Sequence, residues 1–294
     1  MALAFTPLHP LFVAEMSGLD LREPMSRDTI AEIDAAMDRH AVLVIRDQPL
    51  TPEQQLAFTR QFGPLDIGFA RVGAKRKGST RTPGYMANMT NLGEDGKVVE
   101  RDNGRILGNI ANQLWHSDSS FQQPAAKYSM LYSVTNPSWG GETEFADMRA
   151  AYDSLDDRTK AEVEGLVSEH WALHSRFMLG DTDYTQEAID AIPPVEWPVV
   201  RTHPGSGRKL LFIGVHARRI LGMSLPEGRK LLMDLLEHAT APRHVYRHDW
   251  RVGDLVIWDN RATLHRGRRF DLSEPRQLRR TTTLDAAEPL EQVA

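Results

Sequence analysis

From residue 112 onward the chain is written in short β-forming runs, and this spacing restricts the possible folds more than any other feature. The runs are 127–134 (KYSMLYSV), 197–203 (WPVVRTH), 209–215 (KLLFIGV), 244–250 (HVYRHDW), 254–259 (DLVIWD) and 278–284 (LRRTTTL). Each is too short for a typical helix and is rich in β-branched or aromatic residues. Turn formers separate them, such as Pro204-Gly205-Ser206-Gly207 between the second and third. Many short strands with few helices predict a mainly β (α+β) fold, a double-sheet jelly roll with helices packed outside.

The helices have their own signals. Residues 26–40 (SRDTIAEIDAAMDRH) are amphipathic with Ser26 as N-cap, and the apolar run 41–47 reads as a buried strand. Thr51-Pro52-Glu53-Gln54 has capping-box spacing, so a helix is predicted from there to about Phe62, stopped by Gly63-Pro64. Two further helices are predicted over 148–166 and 226–239, the second after Ser224 and Glu227. Residues 66–107 are polar and poorly periodic, which reads as a long loop with one short strand, the kind of segment that forms a lid. No repeat or low-complexity linker divides the chain, so a single domain over 1–294 is expected.

Composition narrows the chemistry. With no cysteine, disulfides, thiolate nucleophiles, iron–sulfur clusters and zinc fingers are excluded, and any metal must be held by His and carboxylate. Hydrophobic residues at 41% suffice for a sizeable core. A net charge of −5 gives no nucleic-acid or membrane footprint. The runs 71–81 and 266–280 are locally basic, which suits either solvated surface or a local pocket for anions. The N-terminus lacks a secretory pattern and no apolar stretch approaches membrane-spanning length, so a reducing, cytoplasmic setting is expected.

The segment Trp115-His116-Ser117-Asp118 carries the chemistry. Read as a strand, it puts His116 and Asp118 on one face, where an imidazole and a carboxylate can share a metal. Downstream, Val256-Ile257-Trp258-Asp259-Asn260 leads through a short turn to His265. Two His and one carboxylate form a facial set that suits iron(II) oxygenases, because three adjacent positions stay open for cosubstrate and O2. Among 11 His residues such a pairing arises easily by chance, so further residues must agree with it. Gly140-Gly141 predicts a tight turn delivering Thr143, whose hydroxyl can meet a carboxylate, although Thr is also an ordinary strand residue. Near the C-terminus Arg276, Leu278 and Arg280 share one strand face, with Gln277 and Arg279 on the other. The two guanidinium groups lie roughly 13 Å apart at about 3.3 Å per residue, enough to hold two different anions. Arg bonds carboxylates bidentately, which suits the distal carboxylate of 2-oxoglutarate; the alternative is a charged row that blunts a sheet edge.

Longer segments add to this pattern: TPLHPLF at 6–12, ANQLWHSDSSFQQPAA at 111–126, GGETEFADMRAAYD at 140–153, SRFMLGDTDY at 175–184, VVRTHPGSGRKLLFIG at 199–214, LLEHAT at 235–240 and YRHDWRVGDLVIWDN at 246–260. Together they resemble the taurine/phenoxyacetate (TauD/TfdA) family of iron(II)/2-oxoglutarate dioxygenases over nearly the whole chain. The resemblance implies a double-stranded β-helix core, Fe(2+) held by His116, Asp118 and His265, and 2-oxoglutarate and O2 as cosubstrates. It implies that Thr143 and Arg276 hold 2-oxoglutarate. It also implies that Arg71, Asn112 and Arg280 meet a small anionic aryloxy-carboxylate, and that the chain assembles as a homodimer or higher homo-oligomer. His203 and His216 flank strands and read as pocket or structural histidines. Pro275 departs from the charged residue that relatives often carry, but it suits a strand start. Two other chemistries compete: a zinc hydrolase with the same His/Asp set, which has no use for Thr143 and Arg276, and a non-catalytic jelly-roll binding protein.

Overall fold

A computed structural model of the protein describes residues 3–67, 84–103, 106 and 109–286. Helix formation follows the local signals. Ser26 caps the helix Arg27–His40 by accepting from the Thr29 N–H. Thr51 and Gln54 form a reciprocal capping box at the start of Pro52–Arg60. Ser224 caps Leu225–Ala239.

The helix expected over 148–166 is two helices, Met148–Asp153 and Asp157–Val163. Ser154 ends the first, and the Asp156 carboxylate accepts from the Thr159 N–H to start the second, so a polar side chain replaces the continuing ladder. The remainder of that segment is a turn over 164–165, and the next strand begins only at Val167. The run 197–203 is likewise divided between two strands that join different sheets, and 209–215 is extended only over Lys209–Leu211.

The strands are β1 (Ala4–Pro7), β2 (Ala14–Ser17), β3 (Val42–Ile45), β4 (Ala87–Thr90), β5 (Ala126–Thr135), β6 (Thr143–Asp147), β7 (Val167–His170), β8 (Val195–Pro198), β9 (Val200–Thr202), β10 (Lys209–Leu211), β11 (Ala217–Ile220), β12 (Val245–His248), β13 (Leu255–Asp259), β14 (Thr263–Gly267) and β15 (Gln277–Leu284). The largest sheet has the order β1-β2-β3-β13-β5-β15-β4, and a smaller sheet has the order β12-β6-β14. β9 and β10 form the hairpin expected around Pro204–Gly207.

Side-chain alternation fixes what each face touches. On β3 and β13, Leu43, Ile45, Leu255 and Ile257 point to one side of the large sheet. There they pack with Met130 and Tyr132 of β5 against Ile33, Met37 and Phe58 of the first two helices. Their neighbours Val42, Val44, Val256 and Trp258 point to the other side and meet Leu131, Leu278 and Phe145. Phe145 belongs to β6, so this second core lies between the large and small sheets. The far side of the small sheet packs Ala146 and Leu264 against Met148, Leu232 and Leu235 of the outer helices. The result is a mixed, sheet-rich α/β architecture with two sheets facing one another and helices outside. The functional residues lie in the gap between the sheets.

Candidate metal centre and cosubstrate pocket

His265 sits in the middle of β14, opposite Phe145 of β6. His116 is tied to it by a two-way backbone bridge: His116 N–H donates to His265 O at 3.0 Å and His265 N–H to His116 O at 2.8 Å. The two ring centroids lie 4.1 Å apart, with the ring planes tilted by 45°. His116 and Asp118 therefore do not share a regular strand, contrary to the alternation argument. His116 makes a single bridge, and Asp118 opens a turn in which Ser119 adopts a positive φ of 52°. The turn returns the carboxylate to the imidazoles by a different route. Asp118 Oδ1 is 3.9 Å from His116 Nε2, and its Oδ2 is 3.8 Å from His265 Nε2.

Among the described residues, these three form a group of buried donors whose atoms all lie within 4.8 Å of one another. The donors are in the protonation states a metal requires. Burial pushes both imidazoles below their ordinary pKa, so each is neutral with a free lone pair. His116 Nδ1 lies 2.7 Å from Leu114 O and is therefore the protonated nitrogen, leaving Nε2 to face Asp118. Burial alone would raise the Asp118 carboxyl, but the Arg280 guanidinium and the Ser129 hydroxyl hold it well below the usual carboxylate range. Arg280 Nη1 donates to Oδ1 at 2.6 Å, and Ser129 Oγ donates to Oδ2 at 2.7 Å.

The two imidazoles and Arg280 line a cavity of about 680 Å³. Its walls include His116, His265, Asn112, Thr143, Arg276 and Arg280, so six of the eight residues selected from sequence border one space. Asp118 joins them through Arg280 and the imidazoles, whereas Arg71 lies outside the described residues. Arg276, Leu278 and Arg280 all face this cavity, whereas Arg279 turns to the opposite side of β15, where it lies over the Tyr132 ring and donates to Leu50 O. The β15 alternation is thus as expected, with Pro275 exposed just before the strand.

Arg276 is the informative cation. Its guanidinium lies 5.0 Å from the Phe270 ring and donates to Gly141 O at 3.1 Å, and burial pushes its pKa down to about 10. It is still charged at neutral pH, yet among the described residues it has no carboxylate partner. A half-buried cation with no carboxylate partner among the described residues, set beside a cavity, suits an anion.

Gly140 and Gly141 make the approach possible. Their φ values are +75° and +82°, and a Cβ at Gly140 would lie 2.1 Å from Arg269 O. A Cβ at Gly141 would crowd Arg276 Nε at 3.0 Å. Gly140→Ala is expected to destabilise the protein by roughly 2 kcal/mol or more, from left-handed strain plus the clash, and to weaken anion binding at Arg276; chemical denaturation and ligand titration check both.

Thr143, 3% exposed, accepts from the Trp250 indole N–H at 3.1 Å. Its own proton is therefore free to be donated into the cavity. Asn112 also lines the cavity, where its amide reaches Met89 Sδ at 3.5 Å. His203 is a structural histidine: its Nε2 lies 3.0 Å from the Asp259 carboxylate, and its Nδ1 accepts from the Ser206 N–H. His216 packs edge-on against Phe121 and is not part of the cavity wall.

The sequence pattern did not single out Ser129, Trp250, Asn260 or Phe270. Ser129 carried no distinct signal: by alternation it shares its face of β5 with Lys127, Leu131 and Ser133, so another hydroxyl stands beside it. Trp250 and Phe270 gave none, because their roles depend on contacts across different strands.

Comparison with known proteins agrees with this geometry. Residues 4–282 match the family described as "Taurine catabolism dioxygenase TauD, TfdA family". The chain is 56% identical over 287 residues to an alpha-ketoglutarate-dependent 2,4-dichlorophenoxyacetate dioxygenase of Cupriavidus pinatubonensis, covering 98% of this chain and 99% of the relative. It is 37% identical to an (S)-phenoxypropionate/alpha-ketoglutarate-dioxygenase of Sphingobium herbicidovorans, covering 94% and 92% of the two chains. Among solved structures it superposes on AAD-2 in complex with Mn(II) and N-oxalylglycine with a TM-score of 0.89 and 48% identity, covering 98% of each chain. Matched along nearly its full length, the chain belongs to the TauD/TfdA family of 2-oxoglutarate-dependent dioxygenases.

Proposed function

We propose that this enzyme hydroxylates the carbon next to the ether oxygen of a phenoxyacetate of the 2,4-dichlorophenoxyacetate kind. The products are a phenol and glyoxylate, formed together with succinate and CO2 from 2-oxoglutarate and O2. The observation that carries this reading is a buried His116/Asp118/His265 donor set whose imidazoles border the same cavity as Arg276, a cation with no carboxylate partner among the described residues.

His116, Asp118 and His265 would hold iron(II), which when bound supplies O2 activation coupled to decarboxylation of the cosubstrate. The rest is the work of the polypeptide. Arg276 takes the far carboxylate of 2-oxoglutarate, and Thr143, its oxygen already occupied by Trp250, donates its proton to the same molecule. Arg280 neutralises Asp118 and presents its remaining N–H groups to the cavity, where with Asn112 and Arg71 it would receive the substrate's acid group. Leu131, Leu278, Trp258 and Phe270 supply apolar wall and exclude water around the reacting carbon. Hydroxylation at the ether carbon gives a hemiacetal, which collapses to the phenol and glyoxylate.

The two facing sheets support a double-stranded β-helix within a single domain over 1–294; of the substrate loop expected over 66–107, residues 68–83, 104, 105 and 107 lie outside the described residues. A homodimer or higher homo-oligomer and a cytoplasmic setting belong to the same reading. Among the described residues no helix is long and apolar enough to cross a membrane.

The test is a substrate panel with succinate and phenol measured together. A phenoxyacetate should give the two in equal amounts, dependent on O2, Fe(II) and 2-oxoglutarate. Faster succinate release with a sulfonate, alkyl sulfate or aryloxypropionate would keep the reaction and overturn the substrate. Turnover with zinc, without O2 or 2-oxoglutarate, would overturn the reaction class.

A further inference from the structure

We propose that Asn260 is a positioning residue for the metal centre, acting on Asp118 both through its backbone N–H and through the Ser129 hydroxyl. The inference rests on the metal-binding reading above. Asn260 follows the last residue of β13 and is 2% exposed. It touches neither imidazole nor the cavity, yet every polar atom of its side chain is committed toward the Asp118 turn or its supports. Its Oδ1 accepts from the Asp118 N–H at 3.0 Å and from the Trp258 indole N–H at 3.0 Å. Its Nδ2 donates to Ser129 Oγ at 2.9 Å and reaches Lys127 O at 3.5 Å. Its backbone carbonyl accepts from Ser117 Oγ at 2.7 Å.

This pattern leaves the amide one orientation. A flipped amide would set its NH2 against two other donors, the Asp118 N–H and the Trp258 indole, in a buried site. The fixed Nδ2 then sets the direction of the Ser129 hydroxyl. A hydroxyl has one proton and two acceptor positions. Ser129 Oγ accepts from Asn260, and Thr282 Oγ1 lies 3.1 Å away on another side. The Ser129 proton is thereby left for Asp118 Oδ2 at 2.7 Å. Arg280 holds the other oxygen, so the carboxylate is fixed from both ends, with its oxygens 3.9 and 3.8 Å from His116 Nε2 and His265 Nε2. One side chain thus joins the strand that carries Trp258 to a turn 142 residues earlier that carries the metal carboxylate.

The experiment is an anaerobic Fe(II) titration of the full-length protein and its variants, with no cosubstrate, followed by the energy of the visible band after 2-oxoglutarate is added. Asn260→Ala should weaken Fe(II) binding roughly 10- to 100-fold, the usual consequence of losing a group that orients a metal ligand. Ser129→Ala should weaken it less, and Ser129→Thr, which keeps the hydroxyl, should restore wild-type affinity. In the Asn260→Ala background the further loss from Ser129→Ala should be smaller than in wild type, because the hydroxyl has already lost its fixed direction. A folded Asn260→Ala protein with wild-type Fe(II) affinity would overturn the proposal. Should that variant not fold, Ser129→Ala with unchanged affinity would overturn it instead. A wild-type protein that takes up no Fe(II) would overturn the metal centre itself, a separate outcome from wild-type binding that the variants leave unaltered.

Discussion

Replacing His265 with alanine is expected to abolish turnover and to lower Fe(II) affinity by more than the roughly 10- to 100-fold typical of losing a ligand's supporting partner. The reason is the donor count. Cysteine is absent from the chain, and among the described residues no other His, Asp or Glu joins the group formed by His116, Asp118 and His265. Two donors would remain where the site offers three. The fold should survive, because the bridge that ties residues 116 and 265 together uses backbone N–H and C=O groups only. The substitution also removes a buried Nδ1 that has no hydrogen-bond partner among the described residues. Anaerobic Fe(II) titration, with circular dichroism as the folding control, checks the prediction. Retained Fe(II) affinity in a folded variant would remove His265 from the metal site.

Arg276→Met should produce two effects of opposite sign. Truncating one partner of a buried charge pair typically costs about 2 kcal/mol or more, so apparent affinity for 2-oxoglutarate should fall roughly 30-fold or more. Without cosubstrate the outcome reverses. The guanidinium is half-buried with no carboxylate beside it among the described residues, and burial already pushes its pKa down to about 10. An apolar side chain of similar length should therefore leave the unliganded protein equally stable or more stable. Thermal unfolding with and without 2-oxoglutarate separates the two effects. A variant that loses stability in both states while keeping its 2-oxoglutarate requirement would show that Arg276 serves the fold and not the cosubstrate.

What could be read from sequence was local. The caps at Ser26, Thr51 and Ser224 each act within three residues, and all three form as expected. The β15 alternation puts Arg276, Leu278 and Arg280 on the cavity side, because a period of two survives whatever the partner strand does. The break at Ser154–Asp156 was legible in principle, since both residues favour caps over helix interiors, but the surrounding apolar periodicity masked it.

The candidate metal set depends on contacts that local spacing does not encode. His116, Asp118 and His265 converge, but a backbone bridge and a turn bring them together, not the shared strand face that the His-x-Asp spacing implied. The partners of Asp118 are more distant still: Asn260 and Arg280 lie 142 and 162 positions away. Nothing in the local pattern of residues 116–118 encodes these contacts. They exist only because β5, β13 and β15 are neighbours in one sheet. The assignment of roles at the pocket accordingly drew on resemblance along the whole chain more than on spacing.

The central claim is that two imidazoles and one carboxylate bind iron(II) beside a cation that holds 2-oxoglutarate against it. Anaerobic addition of Fe(II) and then 2-oxoglutarate tests this directly. The expected result is a visible metal-to-ligand charge-transfer band that needs both components, is lost in His265→Ala and shifts when a phenoxyacetate is added. A protein that binds Fe(II) and 2-oxoglutarate yet shows no such band would contradict it.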